Sequence, residues 1–176
     1  MSFYAAYHQD ARNKATHFVG VPMIAFSLLI PLGWLRIDAG GVPLSAALVV
    51  TAILLVYYLL LDILLGLAML AVFGLMLWGA ESLSQAALVT GAAWFLVLFV
   101  GGWALQLWGH VYEGRKPALV DNLFQVFVAP IFLAAEAFFA LGYKPQLHEA
   151  VRRRALAMRA ADGVVERSVE ARAAPG

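Results

Sequence analysis

The chain contains no cysteine. Disulfides, iron–sulfur clusters and thiolate metal sites are therefore excluded, and the redox compartment is left open. Charge is scarce too: 13% of the 176 residues are Asp, Glu, Lys or Arg, against roughly 25% in soluble domains, while 63% are hydrophobic and the mean hydropathy is +0.82. Between Arg36 and Arg115 the only charged residues are Asp38, Asp62, Glu81 and Glu113. A water-soluble core of this size cannot hide so much apolar surface, so lipid is the expected solvent. The sequence also lacks a glycine-rich nucleotide or flavin fingerprint.

What is present reads as an all-α, polytopic membrane bundle with about four to five segments. The first apolar stretch, 15–35, follows a region containing Asp10, is long for a signal-peptide core and has no A-x-A site; it reads as a retained span over 18–35, shortened or kinked by Pro22 and Pro31. Residues 36–43, with Gly40, Gly41 and Pro43, form a loop. One helix over 44–80 would be roughly 55 Å long, against a hydrocarbon core of about 30 Å. Dividing it at Asp62 gives two segments of spanning length and keeps that carboxylate away from the bilayer centre. The spacing predicts a fourth span over 86–109, a polar stretch over 109–118 and a fifth apolar segment over 120–142. Residues 1–147 read as a single membrane-embedded domain and 148–176 as a basic, largely disordered tail. Seven of the twelve Lys and Arg lie after residue 143, a distribution suited to anionic headgroups and to no nucleic-acid partner.

The polar residues fall on few helical faces. Gln106, His110 and Glu113 are spaced i, i+4, i+7 at the end of the fourth span, and Asn13 and His17 are spaced i, i+4 at the entry to the first. Asn122, Gln125 and Glu136 share a face of the fifth segment, turned toward something other than lipid. Singly, such residues cap helices, bridge spans or anchor at headgroups, as Arg115 and Lys116 do. Together, His8, His17 and His110 in short polar segments beside spans, with Glu113 one turn from His110, suit a ferrous or similar divalent site. His8 and His17 are nine residues apart, on opposite faces of one continuous helix, so both serve one ion only if the chain breaks between them. Asp10 or Asn13 can cap a new helix there.

The motifs Tyr7-His8, Asn13-x3-His17 and Gly20-x-Pro22, then Gln106-x2-Gly109-His110-x2-Glu113 followed by Lys116-Pro117-Ala118-Leu119, resemble the membrane-bound 2-hydroxy fatty acid dioxygenase family. So do Asp121-Asn122, Gln125, Ala129-Pro130, Glu136 and Leu141-Gly142-Tyr143; the resemblance runs over about 4–147. It implies an Fe(II)-dependent α-oxidation in which a long-chain 2-hydroxy fatty acid and O2 give the acid one carbon shorter, which in fungal members serves breakdown of the phytosphingosine base. It also implies His8, His17 and His110 as the metal ligands. Glu113 is the catalytic candidate, as ligand, as orienter of a histidine or as base. Asn13, Gln106, Asn122, Gln125 and Glu136 are the expected cavity residues. The alternatives in other classes are a small membrane transporter and a non-enzymatic helical scaffold. An integral membrane location is expected, in the inner membrane of a bacterium or the endoplasmic reticulum of a eukaryote. A shared site needs His17 and His110 on one side, hence four crossings, and the positive-inside bias then has 120–142 lying obliquely, kinked at Pro130, with both termini cytoplasmic.

Overall fold

The computed structural model describes residues 1–114 and 124–173, with side chains described to residue 161. Among the described residues there are seven helices: α1 (Ser2–Ala6), α2 (Ala11–Trp34), α3 (Ala46–Leu61), α4 (Ile63–Ser84), α5 (Leu88–Glu113), α6 (Gln125–Ala140) and α7 (Pro145–Ala173). The spans α2, α4 and α5 are long and apolar enough to cross a membrane, whereas α3 and α6 are shorter apolar helices. Large apolar side chains face outward along the bundle, among them Leu75 at 71% and Trp78 at 74% exposure. Such a surface matches lipid, not water.

Local chemistry sets the element ends. Asp10 is the N-cap of α2, its carboxylate accepting the Arg12 amide at 2.7 Å, and Ser45 caps α3 through the Leu48 amide at 3.0 Å. Asp62 separates α3 from α4 and caps α4 through the Leu65 amide at 3.1 Å, so the apolar run divides where its one charge falls. The stretch expected to be a loop is instead a β-hairpin: β1 (Arg36–Ala39) pairs antiparallel with β2 (Val42–Ser45), Arg36 opposite Ser45 and Ala39 opposite Val42. Gly40 and Gly41, at φ +67° and +88°, supply the left-handed pair that a two-residue hairpin turn requires. Helix α2 runs through both Pro22 and Pro31 without interruption, so the expected shortening does not occur.

Helices α2 and α5 are antiparallel and nearly in backbone contact. A Cβ on Gly20 would lie 2.9 Å from the Gly102 carbonyl oxygen, and one on Gly109 would lie 2.2 Å from Thr16 Oγ1 and 2.5 Å from Asn13 Oδ1. Small residues allow this approach, as in other membrane helix pairs. The contact brings the start of α2 beside the end of α5. At the opposite end of the bundle Ser84, closing α4, packs on Gly33. Helix α3 therefore carries the chain back between α2 and α4, and His17 and His110 share one end of the bundle after four passes.

Helix α6 does not make a fifth pass. Near its start the Phe127 carbonyl accepts the Tyr58 hydroxyl at 2.7 Å, and just after its end Lys144 Nζ and the Tyr143 hydroxyl bind the Asp62 carboxylate at 2.6 and 3.3 Å. Tyr58 and Asp62 are one turn apart, so α6 begins and ends beside the α3–α4 turn. The tail, expected to be largely disordered, contains helix α7 (Pro145–Ala173). Its Val151 and Ala155 are buried with Tyr4, Ala5 and Ala6 of α1.

Candidate metal centre and cavity

His8, His17 and His110 converge. Their nearest ring nitrogens all lie within 4.8 Å of one another, and all three residues are buried. His8 stands in the break between α1 and α2, His17 in the second turn of α2 and His110 in the last turn of α5. The break that the nine-residue spacing demands is thus present, with Asp10 as its cap.

Backbone carbonyls orient two of the rings. His8 Nδ1 donates to the Tyr4 carbonyl at 2.8 Å and His17 Nδ1 to the Asn13 carbonyl at 2.8 Å. A carbonyl only accepts, so each Nδ1 carries the proton and each Nε2 presents a bare lone pair. These two Nε2 atoms face each other at 2.9 Å. Two lone pairs repel at that distance, whereas two nitrogens bound at ~2.0–2.1 Å to one ion, roughly at right angles, stand about 3 Å apart. The ring of Tyr4 stacks on His8, centroids 4.0 Å apart. Burial, with the neighbouring imidazole of His17 adding to it, lowers the pKa of His8 to about 2. The ring is therefore neutral at physiological pH, the form in which imidazole ligates. A buried set of imidazole nitrogen donors without thiolate fits a divalent first-row ion.

Glu113 serves the break rather than the cavity. Its Oε2 accepts the backbone amides of Gln9 at 3.0 Å and Asp10 at 2.8 Å and the Asn13 side-chain amide at 3.1 Å, while Oε1 pairs with Arg159 of α7. Asn13 Nδ2 also reaches the Tyr7 carbonyl at 3.2 Å. One carboxylate thus holds both residues that follow His8 and the asparagine whose carbonyl orients His17.

A cavity of about 490 Å³ opens from the histidines along α2, within the ~300–1,000 Å³ of small-ligand sites. His8, His17, His110, Gln106 and Gln125 line one end. Apolar side chains of α2, from Val21 and Ile24 to Leu32, and Leu35 just past its end continue it to the other, with Val50 and Leu54 of α3 alongside. From His17 to Leu32 the helix rises roughly 22 Å.

The family model for the Mpo1-like 2-hydroxy-palmitic acid dioxygenases matches residues 1–141. The chain belongs to the Mpo1-like family. Its relative in Saccharomyces cerevisiae, 2-hydroxy-palmitic acid dioxygenase MPO1, is 36% identical over 149 residues, covering 84% of this chain and 82% of the yeast protein. No solved structure matches.

Within this Mpo1-like chain the expected residues divide. His8, His17, His110, Gln106 and Gln125 meet at one end of the cavity. Two residues expected to line it lie elsewhere: Asn13 is fully buried in the Glu113 network, and Glu136 pairs with Lys14 at 2.5 Å, tying α6 to α2. Glu113 does not line it either, because its oxygens are turned to amides and to Arg159. Asn122, Arg115 and Lys116 lie outside the described residues. His148 stacks on Phe139 at 4.7 Å. Arg159 and Tyr4 were missed. Tyr4 sits four residues before His8, a helical spacing that was available as a signal; Arg159 lies beyond the 141 residues of the family match, and no local pattern distinguishes it from its basic neighbours.

Proposed function

We propose that the protein is an Fe(II)-dependent dioxygenase that converts a long-chain 2-hydroxy fatty acid into the acid one carbon shorter. The observation that carries this reading is the convergence of three buried imidazoles at one end of a long apolar cavity, in a chain of the Mpo1-like family. A transporter or scaffold has no use for two lone pairs held face to face. His8, His17 and His110 would hold Fe(II), which when bound would supply activation of O2 and Lewis acidity toward the head of the substrate.

The reaction balances on its own reactants. Carbon 2 passes from alcohol to carboxyl, carbon 1 leaves as carbon dioxide, and one O2 takes up the four electrons with formation of one water. No nicotinamide or flavin is needed. The protein's residues orient and shield. Tyr4 and Asn13 carbonyls hold the rings of His8 and His17, Glu113 fixes the chain between them, and the walls from Val21 to Leu35 take the acyl chain out of water. The chain leaves lipid for apolar side chains, so its burial is nearly neutral in energy and the polar head sets orientation.

Residues 1–147 form one catalytic unit on this reading, to which α7 adds Arg159. The protein works in the lipid bilayer, with both termini on the cytoplasmic side; the membrane is the inner membrane in a bacterium and the endoplasmic reticulum in a eukaryote. The test is purified protein with Fe(II), O2 and 2-hydroxypalmitate. The expected product is the C15 acid with consumption of O2, and equal product under nitrogen would falsify the dioxygenase reading.

A further inference from the structure

We propose that the substrate enters sideways from the bilayer, through a lipid-facing slit in the cavity wall rimmed by Leu28 of α2, Val50 of α3, and Val126 and Phe127 of α6. The proposal rests on the reading of the substrate as a long-chain 2-hydroxy fatty acid and assigns its route to the metal centre.

The cavity is sheltered at one end and open along one side. Among the described residues that line the histidine end, Tyr4, His8, His17, Gln106, His110 and Gln125 are all buried. Leu28, Val50, Val126 and Phe127 line the same cavity and are 38%, 39%, 39% and 46% exposed. A side chain that belongs both to a cavity wall and to the outer surface stands at the mouth. These four are all apolar and come from three helices, so the mouth is a gap between helices. Leu28 and Val50 lie roughly 9 and 6 Å from the ends of α2 and α3 that meet the hairpin. What faces them is therefore hydrocarbon.

The posture of a fatty acid in a membrane fits this opening. Its carboxylate sits among the headgroups and its chain runs down into the leaflet. The histidines stand at one end of the bundle, and the apolar wall runs from them along α2. An acid in the leaflet on the histidine side already has head and tail in the order the cavity requires, and a sideways step brings it in. Its methylenes exchange lipid for apolar side chains without crossing water. The other route the wall allows is end-on past Leu35, which also lines the cavity and is 60% exposed. That route draws the ionised head through the whole apolar length, stripped of its water. The slit requires no such step.

The chain has no cysteine, so one engineered thiol is unique. Phe127→Cys and Val50→Cys are made singly in the full chain, placed in lipid nanodiscs and capped with bulky pyrene maleimide or with a small methylthio group. Leu75→Cys, on the lipid-facing surface of α4 and outside the cavity, carries the same labels as a control. Association and dissociation rates of 2-hydroxypalmitate are measured with Fe(II) under nitrogen, so that no turnover occurs, and iron content reports an intact metal centre. Pyrene at either rim position is expected to slow both rates roughly five- to a hundredfold, the range that an overpacked passage gives. Their ratio, the affinity, is expected to change far less than either rate. The methylthio cap, smaller than the Phe127 side chain, is expected to slow neither. Wild-type rates with pyrene at both rim positions overturn the proposal, and slowing by pyrene at Leu35→Cys in that case assigns the end-on route. Equal slowing from Leu75→Cys overturns it too, since the label then acts through the bilayer. So does a loss of affinity carried by faster dissociation alone, which makes the two residues walls and not a mouth. Each of these leaves the substrate reading standing. Unlabelled wild type that binds no 2-hydroxypalmitate removes that reading and this proposal with it.

Discussion

Arg159 Nη1 donates to Oε1 of Glu113, joining α7 to the last residue of α5. The Glu113 side chain is 1% exposed and that of Arg159 28%, so the carboxylate is fully desolvated and the guanidinium keeps one side to the surroundings. The pair neutralises a charge that also holds the amides of Gln9 and Asp10. The carboxy-terminal helix is by this contact tied to the break that follows His8.

Arg159→Ala leaves that carboxylate without its cation. Removal of one partner of a fully buried pair costs ~3–5 kcal/mol; here we expect roughly 2 kcal/mol, because Glu113 retains three other donors and Arg159 is partly exposed. Iron retention is expected to fall with the thermal midpoint, and Arg159→Lys to restore most of both. Val151→Ala, which loosens α7 away from the pair, is the control: equal iron loss there would mean that helix packing and not the ion pair matters.

Alanine at His8, His17 or His110 removes one of three nitrogen donors. Each variant is expected to insert in the membrane normally, to bind less than a tenth of the wild-type iron and to be inactive. Metal analysis beside turnover checks this, and iron retained at wild-type stoichiometry in all three variants would discard the site.

Gly109→Ala places a Cβ 2.2 Å from Thr16 Oγ1 and 3.3 Å from His17 Nδ1. Helix α2 must then move off α5, at an overpacking cost of about 1–3 kcal/mol, with His17 displaced. Gly74→Ala, where an added Cβ meets nothing within 4 Å, is expected to be neutral. Thermal midpoints and iron content of the two variants decide it.

Asp62→Ala removes the α4 cap and the anchor of Tyr143 and Lys144. Loss of a cap costs ~1 kcal/mol, and the exposed Lys144 adds little. A small drop in melting temperature with unchanged iron content is the expected result; loss of iron would show that the α3–α4 turn supports the centre directly.

Leu32→Trp fills the end of the cavity remote from the histidines. Turnover of long 2-hydroxy acids is expected to fall through a raised KM, with acids several carbons shorter retained or improved. A uniform loss at every chain length would place the acyl chain elsewhere.

Much of this was legible in the sequence because its physics is local. Hydropathy marks the spans, since lipid demands apolar side chains wherever the chain crosses. Asp62 divides an overlong run because a carboxylate is costly at the bilayer centre and caps a helix cheaply at its edge. Gln106 and His110 share a face through the helical repeat, and the His8–His17 spacing lets both serve one ion only with a break between them, which Asp10 can cap. Tertiary structure decided the rest. Whether Glu113 faces the cavity or the chain depends on the Gln9 and Asp10 amides, which lie 104 and 103 residues earlier. Glu136 was turned from the cavity by Lys14, 122 residues away. Periodicity tells which face of a helix a side chain occupies, but what that face meets is set by packing between distant segments, and hydrogen bonds across such distances leave no periodic trace in the chain.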